Sequence, residues 1–542
     1  MDKSFYKKIE DLFKNKQFEN IKFEINSLDD HEKNDPFIYN ILGIIEANNK
    51  NLIKAKNFFY SALKLDNNYL HSLINLANLS YLDKDFQKII NLLKEYYSRN
   101  SYDMKVNLIL ADMCYSAGFL EDSIYFHKKL VETGNFENKD LAALISLLNY
   151  SSKYSESEYQ KYCKLYDEIL TKNKTSYNLI DNEHDNSKIG FLSYDLRDHP
   201  VGYFLKDLIK KIGEKNFKTI GFNLYRTNYN SQSTFKIKSL FSEFHDVSNL
   251  SDKDLSDFIY SKKVHYLIDL AGYTTGNRLQ VFKNKPAPVQ FSWLGYCNEV
   301  HIKEIDFMLV DKNVIEKNNN SKVVKMPKIW NCLSALENLE TNSLPFVKNK
   351  FFNFGCFNNF LKISDETIEV WEEILTKFTN SNLILKNSLK ADKNFKNYIF
   401  NKFNKKIDEN RIIILDYESD KKNHLEQYHR IDLGLDTFPY NGVTTTFESL
   451  WMGVPVITLE GQRFVSRCGY SISKNAGLKD LIAKTKEEYV SKALYFCSDK
   501  GVEKLINMRK NLRSKLIKSP LFDMDSFCDS FLDKLTKHKK KK

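Results

Sequence analysis

A 34-residue spacing runs through the first 170 residues and limits what this part of the chain can fold into. Two sets of mostly apolar residues follow the spacing: Leu42, Leu76, Leu110 and Leu144, and then Leu52, Phe86, Leu120 and Tyr154. Between these positions apolar residues recur at helical intervals. A fixed period of this length is typical of helical pairs that bury their apolar faces only by stacking on neighbouring pairs.

A small residue follows the leucine in three of these units, at Gly43, Ala77 and Ala111. Small residues at this point let the two helices of a pair approach closely, and the pattern resembles the tetratricopeptide repeat. The resemblance implies an all-α repeat domain over residues 1–170, with a concave groove for peptides or protein segments. A spacer or dimerisation platform is the alternative. Residues 171–187 lose the pattern and are predicted to be a linker.

From residue 188 short apolar segments alternate with helical ones, which predicts parallel sheets covered by helices on both faces. We expect one Rossmann-like domain over residues 188–345 and a second over 346–520, followed by a C-terminal helix and Lys-rich tail over 521–542. Ligands bind beyond the carboxyl ends of the strands in such sheets. His199 and the segment 269–274 both come directly after predicted strands.

Composition narrows the class of protein. Of the 542 residues 42% are apolar and 28% are charged, which excludes a wholly disordered chain. No run of 18 apolar residues is free of charge, and the start leads into no apolar signal segment, so we expect a cytoplasmic protein without a transmembrane segment. Five of the +11 net charges lie in the terminal tail, and no nucleic-acid partner is expected. The eight cysteines form no CxxC pair, which indicates neither a disulfide framework nor a zinc ribbon.

A glycine and three threonines, Gly442 and Thr444 to Thr446, open a predicted helix in the second domain. Backbone N–H groups, hydroxyls and the helix dipole could together face a phosphate there, although ordinary N-capping is the alternative. The acidic motif 523–525 is interpreted as the start of the C-terminal helix. With no metal-ligand set, we expect Lys362 and Lys421 to neutralise a diphosphate without metal.

Five motifs occur in order along the α/β region. They are residues 198–204 (DHPVGYF), 269–278 (DLAGYTTGNR), 286–296 (PAPVQFSWLGY), 435–442 (LDTFPYNG) and 448–455 (ESLWMGVP). Together they resemble the O-linked N-acetylglucosamine transferase family, and the SPINDLY branch is the closer match. The resemblance spans about residues 188–525 and implies the GT-B fold. It also implies an inverting, metal-independent glycosyltransferase that moves GlcNAc or a related sugar from a nucleotide diphosphate to Ser or Thr of proteins.

By position, the resemblance assigns three catalytic residues. His199 matches the active-site histidine, as base or acceptor-orienting group, His265 matches a second histidine of the cleft, and Lys362 matches the lysine at the diphosphate. The positions that match the donor pocket are Asn359, Lys421, His424, Thr444, Thr445, Thr446 and Glu448. His199 as a helix cap, His265 as a core residue and Lys362 as a surface residue are the alternatives.

Several positions around the donor depart from the animal enzymes of that family. Val443, Asn359, Gln427 and Glu448 stand where those enzymes have His, Gln, Arg and Asp. The donor is therefore left open: UDP-GlcNAc is favoured, and GDP-fucose and UDP-glucose are alternatives. Transfer to Asn, a glycan or a lipid, and an inactive repeat scaffold, also stay open. No cofactor is expected besides the nucleotide-sugar, and assembly into a homo-oligomer is undecided.

Overall fold

The structure is a computed structural model that describes residues 3–100, 103–179, 185–226, 236–315, 322–334, 336–386, 395–403 and 406–538. Contacts between residues divide the chain into two compact units. The first comprises Met1–Asn135 and Leu389–Tyr398, and the second comprises Phe136–Ser388 and Ile399–Lys542. Parts of the predicted linker (180–184) and of the Lys-rich tail (539–542) lie outside the described residues.

The first unit is helical. Its helices, within the described residues, are Lys3–Lys14, Phe18–Asn26, Asp30–Lys33, Pro36–Asn48, Leu52–Leu65, Leu70–Asp83, Phe86–Arg99, Met104–Ala117 and Leu120–Glu132. Leu42, Leu76 and Leu110 lie inside the first helix of successive pairs, and Leu52, Phe86 and Leu120 begin the second helix of each pair. The 34-residue spacing thus corresponds to successive helical pairs, and the predicted tetratricopeptide-like region is confirmed.

Gly43 shows why a small residue is needed inside a pair. A Cβ atom placed on Gly43 would lie 2.4 Å from a ring carbon of Phe59, which is buried in the second helix of that pair. Asp35 accepts a hydrogen bond from the Phe37 amide at 2.7 Å, ahead of Pro36 at the start of this pair. An Asp cap followed by proline is a strong local signal for a helix start.

Two parallel sheets form the centre of the second unit. Over the described residues the first sheet has strands β1 (Asp185–Ser193), β2 (Lys218–Asn223), β3 (Glu243–Asp246), β4 (Val264–Asp269), β5 (Val289–Ser292), β6 (Phe307–Asp311) and β7 (Val323–Met326), in the order β3-β2-β1-β4-β5-β6-β7. The second has β8 (Phe352–Cys356), β9 (Ser381–Lys386), β10 (Ile412–Leu415), β11 (Leu433–Leu435), β12 (Val456–Leu459) and β13 (Ile482–Ala483), in the order β10-β9-β8-β11-β12-β13. We call the sheets with their helices the first and second lobes.

Helices connect these strands. In the described residues they are Asn138–Leu148, Glu156–Lys172, Pro200–Glu214, Asp252–Ser261, Leu279–Asn284, Pro345–Asn349, Asp365–Lys377, Phe395–Lys402, Lys421–Glu426, Thr444–Trp451, Cys468–Asn475, Lys486–Phe496, Asp499–Ile517 and Met524–Lys537. Short 3-10 turns lie at Phe360–Lys362, Glu409–Arg411, Gln427–Arg430, Phe464–Ser466 and Lys479–Leu481. β4 and β8 are buried at every position, as expected for strands covered on both faces. Each lobe is a doubly wound, Rossmann-like sheet, as predicted.

The helical pair Asn138–Leu148 and Glu156–Lys172 belongs to the second unit, although the repeat domain was predicted to extend to residue 170. Polar contacts hold this pair on the first lobe. The Tyr159 hydroxyl donates to the Glu299 carbonyl oxygen at 2.7 Å, and the buried Lys283 Nζ lies 2.8 Å from Asp167. This pair therefore packs on the first sheet as part of the α/β unit.

The helix Met524–Lys537 returns to the first lobe. Its Phe531 ring packs on Trp293 with ring centroids 5.0 Å apart. Asp523 caps the helix by accepting from the Ser526 amide at 3.1 Å, and Asp525 pairs with Lys211 at 2.8 Å. The acidic motif 523–525 is therefore a helix start, as interpreted from the sequence.

All eight cysteines are free thiols, and seven of them are buried. They contribute to the cores, as expected. Among the described residues, no helix is both long enough and apolar enough to cross a membrane.

Candidate functional site

The strand order places the site residues. In each lobe the order reverses beside the first strand, between β1 and β4 and between β8 and β11, and a crevice opens at this point outside the carboxyl ends. His199 follows β1, Lys362 follows β8, and residues 436–446 follow β11. The topology therefore places His199, Lys362 and residues 436–446 at the switch points of the two sheets.

Lys362 is the cation at the switch point of the second lobe. It ends the 3-10 turn Phe360–Lys362, whose start is capped by Asn359 accepting from the Leu361 amide at 3.0 Å. Lys362 Nζ donates to the Asn441 carbonyl oxygen at 2.8 Å and lies 3.9 Å from the centroid of the Tyr440 ring. Burial lowers the pKa of Lys362. Asn359, predicted to bind donor, here orders the turn that carries this lysine.

The helix Thr444–Trp451 begins beside Lys362. Its N-cap residue, Val443, makes no side-chain hydrogen bond to the helix start, so the positive end of the dipole and the Thr444 and Thr445 amides can face an anion, whereas the Thr446 amide donates to the Val443 carbonyl oxygen at 3.0 Å. The Thr445 hydroxyl donates to Asn358 Oδ1. A Cβ atom on Gly442 would lie 2.6 Å from Asn358 Oδ1 and 2.7 Å from Thr446 Oγ1, so only glycine fits in this loop without displacing them.

Glu448 lies one turn further along the same helix and is the centre of a charged cluster. Its Oε1 contacts Lys421 Nζ, and its Oε2 lies 2.9 Å from His424 Nε2. The Tyr428 hydroxyl donates to Oε2 at 3.3 Å. Burial alone would raise the pKa of Glu448, but the hydrogen bond from His424 and the charge of Lys421 outweigh it and hold the pKa at about 2. Glu448 is therefore an anion across the physiological pH range.

Lys386 extends this cluster and was missed by the sequence reasoning. It is buried at the carboxyl end of β9, and its Nζ contacts His424 Nδ1. Burial lowers the pKa of Lys386 to about 8, against the opposing charge of Glu448. A lysine that ends an otherwise apolar strand, as in residues 383–386 (LILK), was the available signal.

Asp436 organises the loop that joins these parts. It is buried and accepts from the Gly442 amide at 2.7 Å, from Thr458 Oγ1 at 2.8 Å and from Asn358 Nδ2 at 3.0 Å. Burial raises the pKa of Asp436 to about 6. Since Asn358 also accepts from Thr445, these buried groups connect the strand end to the helix start. Asp436 belonged to a recognised motif, whereas Asn358 was not singled out.

His199 is the N-cap of the helix Pro200–Glu214 in the first lobe. Its Nδ1 accepts from the Val201 amide at 3.4 Å, and Asp195 Oδ1 lies 3.6 Å from the same nitrogen. Burial lowers the pKa of His199, and Asp195 opposes that shift. A neutral ring that accepts at Nδ1 carries its proton on Nε2. This tautomer makes Nε2 a donor, so the capping contact favours orientation of an acceptor over removal of its proton.

The helix that follows His199 packs against the second lobe. Lys421 Nζ lies 4.6 Å from the centroid of the Tyr203 ring, and the rings of Phe204 and Phe447 meet edge to face at 5.3 Å. His199 thus begins a helix that borders the Glu448 cluster.

His265 does not join this group. It is the second residue of β4, whereas the carboxyl end of that strand is Asp269, roughly 13 Å further along at 3.3 Å per residue. It is buried, and its ring packs on Tyr266 with centroids 4.6 Å apart. The expected cleft position is therefore corrected, because the parallel sheet directs this residue to the opposite edge. The core alternative fits the geometry.

Across the described ranges, no group of three or more His, Cys, Asp or Glu side chains is placed to hold a metal ion. Lys362 and the start of the helix Thr444–Trp451 can offer positive charge to a diphosphate, whereas Lys421, predicted to share this role, contacts Glu448.

Comparison with known proteins identifies the family. The pattern of Glycosyl transferase family 41 matches residues 150–328 and 342–531. The chain belongs to glycosyl transferase family 41. This confirms the predicted enzyme class, a glycosyltransferase, and the predicted relationship to the O-GlcNAc transferase and SPINDLY proteins.

Two plant relatives of this family 41 chain carry the name Probable UDP-N-acetylglucosamine--peptide N-acetylglucosaminyltransferase SPINDLY. The protein from Hordeum vulgare is 33% identical over 347 residues, which cover 62% of this chain and 36% of the relative. The protein from Petunia hybrida is 32% identical over 362 residues, which cover 65% of this chain and 39% of the relative. The matched segments thus span less than two-fifths of either relative.

Among solved structures, a mutant O-GlcNAc transferase from Thermobaculum terrenum is similar to this family 41 chain. It superposes with a TM-score of 0.77 at 23% identity and covers 94% of this chain and 95% of the other. The likeness confirms the predicted fold, a GT-B pair of lobes preceded by helical repeats.

Proposed function

We propose that this protein is an inverting, metal-independent O-glycosyltransferase that moves GlcNAc from UDP-GlcNAc to Ser or Thr hydroxyls of acceptor proteins. One observation carries the proposal: Lys362, a half-buried lysine, lies at the switch point of the second sheet beside the start of the helix Thr444–Trp451, where the N-cap residue Val443 makes no side-chain hydrogen bond. A fixed cation and free helix amides at this point are suited to a diphosphate. The names of the plant relatives support the donor and the peptide acceptor.

The leaving group sets the main electrostatic demand of this reaction. When the bond between the anomeric carbon and the phosphate oxygen breaks, negative charge grows on the departing nucleoside diphosphate. Lys362 Nζ, now directed at the Asn441 carbonyl oxygen, would stabilise that charge together with the amides of Thr444 and Thr445 and the Thr444 hydroxyl, since the Thr445 hydroxyl already donates to Asn358. These groups are held in place before the reaction by Asn359 and Asn358, so little reorganisation is needed.

The Glu448 cluster would hold the nucleoside. Oε1 of Glu448 contacts Lys421, and its remaining lone pair can accept from a ribose hydroxyl. Lys421, His424 and Lys386 fix the orientation of the carboxylate, since each contacts Glu448 or its partner. This arrangement does not distinguish uracil from guanine, so GDP-fucose and UDP-glucose are the alternative donors to be tested.

The acceptor hydroxyl would bind on the first-lobe side of the cleft, near His199. Attack from the face opposite the diphosphate inverts the anomeric carbon, and the proton of the acceptor hydroxyl passes to solvent. His199 would orient the attacking oxygen through Nε2, because Nδ1 already accepts from the Val201 amide. Acceptor recognition by the repeat groove and a cytoplasmic location stay predictions. Transfer to Asn, a glycan or a lipid is the alternative to Ser or Thr, and assembly into a homo-oligomer stays undecided.

The test is a donor panel. Purified protein is incubated with UDP-GlcNAc, UDP-glucose and GDP-fucose, with and without a peptide library containing Ser, Thr or Asn, and each incubation is run with EDTA and with added divalent metal. Nucleoside diphosphate release and mass spectrometry of the peptides give the donor and the linkage. We expect UDP release with UDP-GlcNAc, a Ser- or Thr-linked product, and no effect of EDTA.

The control variants are Lys362→Ala and Lys377→Ala. Lys377 is an exposed lysine of the same lobe, paired with Glu373 at 2.6 Å. Turnover lost only in Lys362→Ala supports the proposed site. Turnover that survives in Lys362→Ala, or that requires a divalent metal, contradicts the mechanism. Binding of UDP without turnover of any donor by the wild type supports the scaffold alternative.

A further inference from the structure

A short loop joins the last two helices before β1, and both lobes contact it. This bridging loop comprises residues 149–154, between the helices Asn138–Leu148 and Glu156–Lys172. On the first-lobe side, Asn149 Nδ2 donates to the Tyr296 hydroxyl at 2.7 Å, and Asn298 Nδ2 donates to Asn149 Oδ1 at 2.7 Å. Asn149 is buried, so these two bonds fix one end of the loop.

The second lobe holds the same loop from the other side. Arg463 donates to the Ser151 carbonyl oxygen at 2.9 Å and to that of Leu148 at 3.4 Å. Ser152 contacts Glu366, at the start of the helix Asp365–Lys377. A guanidinium bound to two carbonyl oxygens has little freedom to move, so the loop is fixed to both lobes.

Tyr150 lies between Asn149 and Ser151, which hold the loop. It is linked to Lys362 through the ring of Tyr440. Its ring packs on Tyr440 with centroids 4.7 Å apart. Tyr440 in turn lies under Lys362, whose Nζ is 3.9 Å from the ring centroid. A cation over a ring face is attracted by the ring quadrupole, and the attraction depends on where the ring is held.

We propose that Tyr150 is a positioning residue for Lys362, acting through Tyr440. The proposal rests on the proposed function, in which Lys362 neutralises the donor diphosphate. Removal of the Tyr150 ring takes away the ring that packs on Tyr440, so the Tyr440 ring is held less firmly and its contact with Lys362 Nζ weakens. The loop that follows the last repeat-like helix thereby controls the strength of diphosphate binding, although it contributes no group to the donor.

A double-mutant cycle separates this role from a general effect on folding. UDP and GDP affinities are measured by titration calorimetry for wild type, Tyr150→Ala, Lys362→Ala and the double variant. We expect Tyr150→Ala to weaken binding by about tenfold in the wild-type background and less than about twofold in the Lys362→Ala background, because interacting residues are not additive. Tyr150→Phe, which keeps the ring, should bind within about twofold of wild type.

Two further variants serve as controls for the double-mutant cycle. Tyr154→Ala removes a ring from the same loop, and we expect unchanged affinity. Tyr440→Leu should reproduce the loss of Tyr150→Ala and add little to it. If Tyr150→Ala unfolds the protein, Tyr150→Leu and Tyr440→Leu replace it, with thermal unfolding as the check.

Equal losses from Tyr150→Ala in both backgrounds, or no loss in either, overturn the proposal. The cycle measures binding rather than turnover. A wild-type protein that binds UDP but transfers no sugar would therefore defeat the proposed function while the role of Tyr150 could still be read from the affinities. With an active donor, the same variants should lower kcat more than they raise KM, since Lys362 acts most strongly in the transition state.

Discussion

The two lobes share a scaffold and differ at their switch points. Both sheets share the strand order 3-2-1-4-5-6, to which the first adds a seventh strand at its edge. A buried aspartate ends the fourth strand of the first lobe (Asp269) or directly follows that of the second (Asp436). Each aspartate accepts from backbone amides of the loop that follows. Burial raises the pKa of both carboxyl groups to about 6.

The loops near these aspartates differ between the two lobes in the charged groups that they carry. In the second lobe they hold the half-buried Lys362 and a helix start whose N-cap residue, Val443, makes no side-chain hydrogen bond. In the first lobe the helix after β1 is capped by His199. Its ring accepts from the Val201 amide, so this amide is not available to an anion. The same sheet thus supports an anion site in one lobe and a neutral polar site in the other. The difference lies in the residues of the loops that follow the first and fourth strands.

The largest expected effect is the fall in kcat in Lys362→Ala, which we compare with the fall in His199→Ala. Lys362→Ala should lower kcat by about 100- to 1,000-fold, as loss of a group that stabilises transition-state charge does. His199→Ala should lower kcat by about tenfold to 100-fold, because a neutral donor to the acceptor contributes less. Steady-state kinetics with the active donor gives both values. A larger loss in His199→Ala would reverse the assignment of roles.

Glu448→Gln should act on donor binding. With the carboxylate gone, we expect KM for the donor to rise by about tenfold, since a hydrogen bond to a charged group contributes about 1.5–3 kcal/mol. The pKa of Glu448 is about 2 in the fold and 4.5 ordinarily, so its ionised form adds about 3 kcal/mol to the free energy of unfolding above pH 4.5. That contribution is lost as the pH falls from 4.5 towards 2. Urea unfolding between pH 2 and 7 should show this acid-dependent loss in wild type and a smaller one in Glu448→Gln.

Asp269 and Asp436 lie at equivalent positions, and substitution of each tests whether the two lobes share more than their scaffold. The pKa of each carboxyl group is raised from 3.8 to about 6, so the fold holds its proton more tightly than the unfolded chain does. The free energy of unfolding therefore falls as the pH rises from about 4 to 6, by about 3 kcal/mol for each group. Asp269→Asn and Asp436→Asn should each remove a similar part of this fall.

Activity should tell the two aspartates apart. Asp436→Asn disturbs the loop that carries Gly442 and Asn358, and we expect kcat to fall by about tenfold. Asp269→Asn should change kcat by less than about threefold. Similar losses in both variants would mean that the first-lobe loop is as closely tied to the chemistry as the second.

The smallest expected effect concerns Lys386. Its pKa of about 8 means that it loses its charge as the pH rises through 8, and its contact with His424 then weakens. We expect KM for the donor to rise by about threefold to fivefold between pH 7 and 9 in wild type and to be already raised, and nearly independent of pH, in Lys386→Met. An unchanged profile in Lys386→Met would exclude this lysine from the donor site.

Local patterns predicted much of the site. The threonines at the helix start and the lysine after β8 were predicted from short-range features, a residue type in a first helical turn or after a strand, whereas Glu448 was assigned only by the family resemblance. Asn359 shows the limit of that reasoning. Its position was recognised, yet its oxygen caps the turn of Lys362, and only the backbone geometry reveals this.

The sequence by itself determined the helical pairs, the two doubly wound lobes and the helix start at Thr444, because periodicity, small residues and caps act within a few turns of chain. Only the tertiary structure decided that His265 lies at the far edge of its sheet, that Lys386 meets His424, and that Tyr150 packs on Tyr440. The two contacts join residues that are 38 and 290 positions apart in the chain. The place of His265 depends on the edge of the sheet at which it lies. Such relations are set by the packing of whole elements, and no local pattern encodes them.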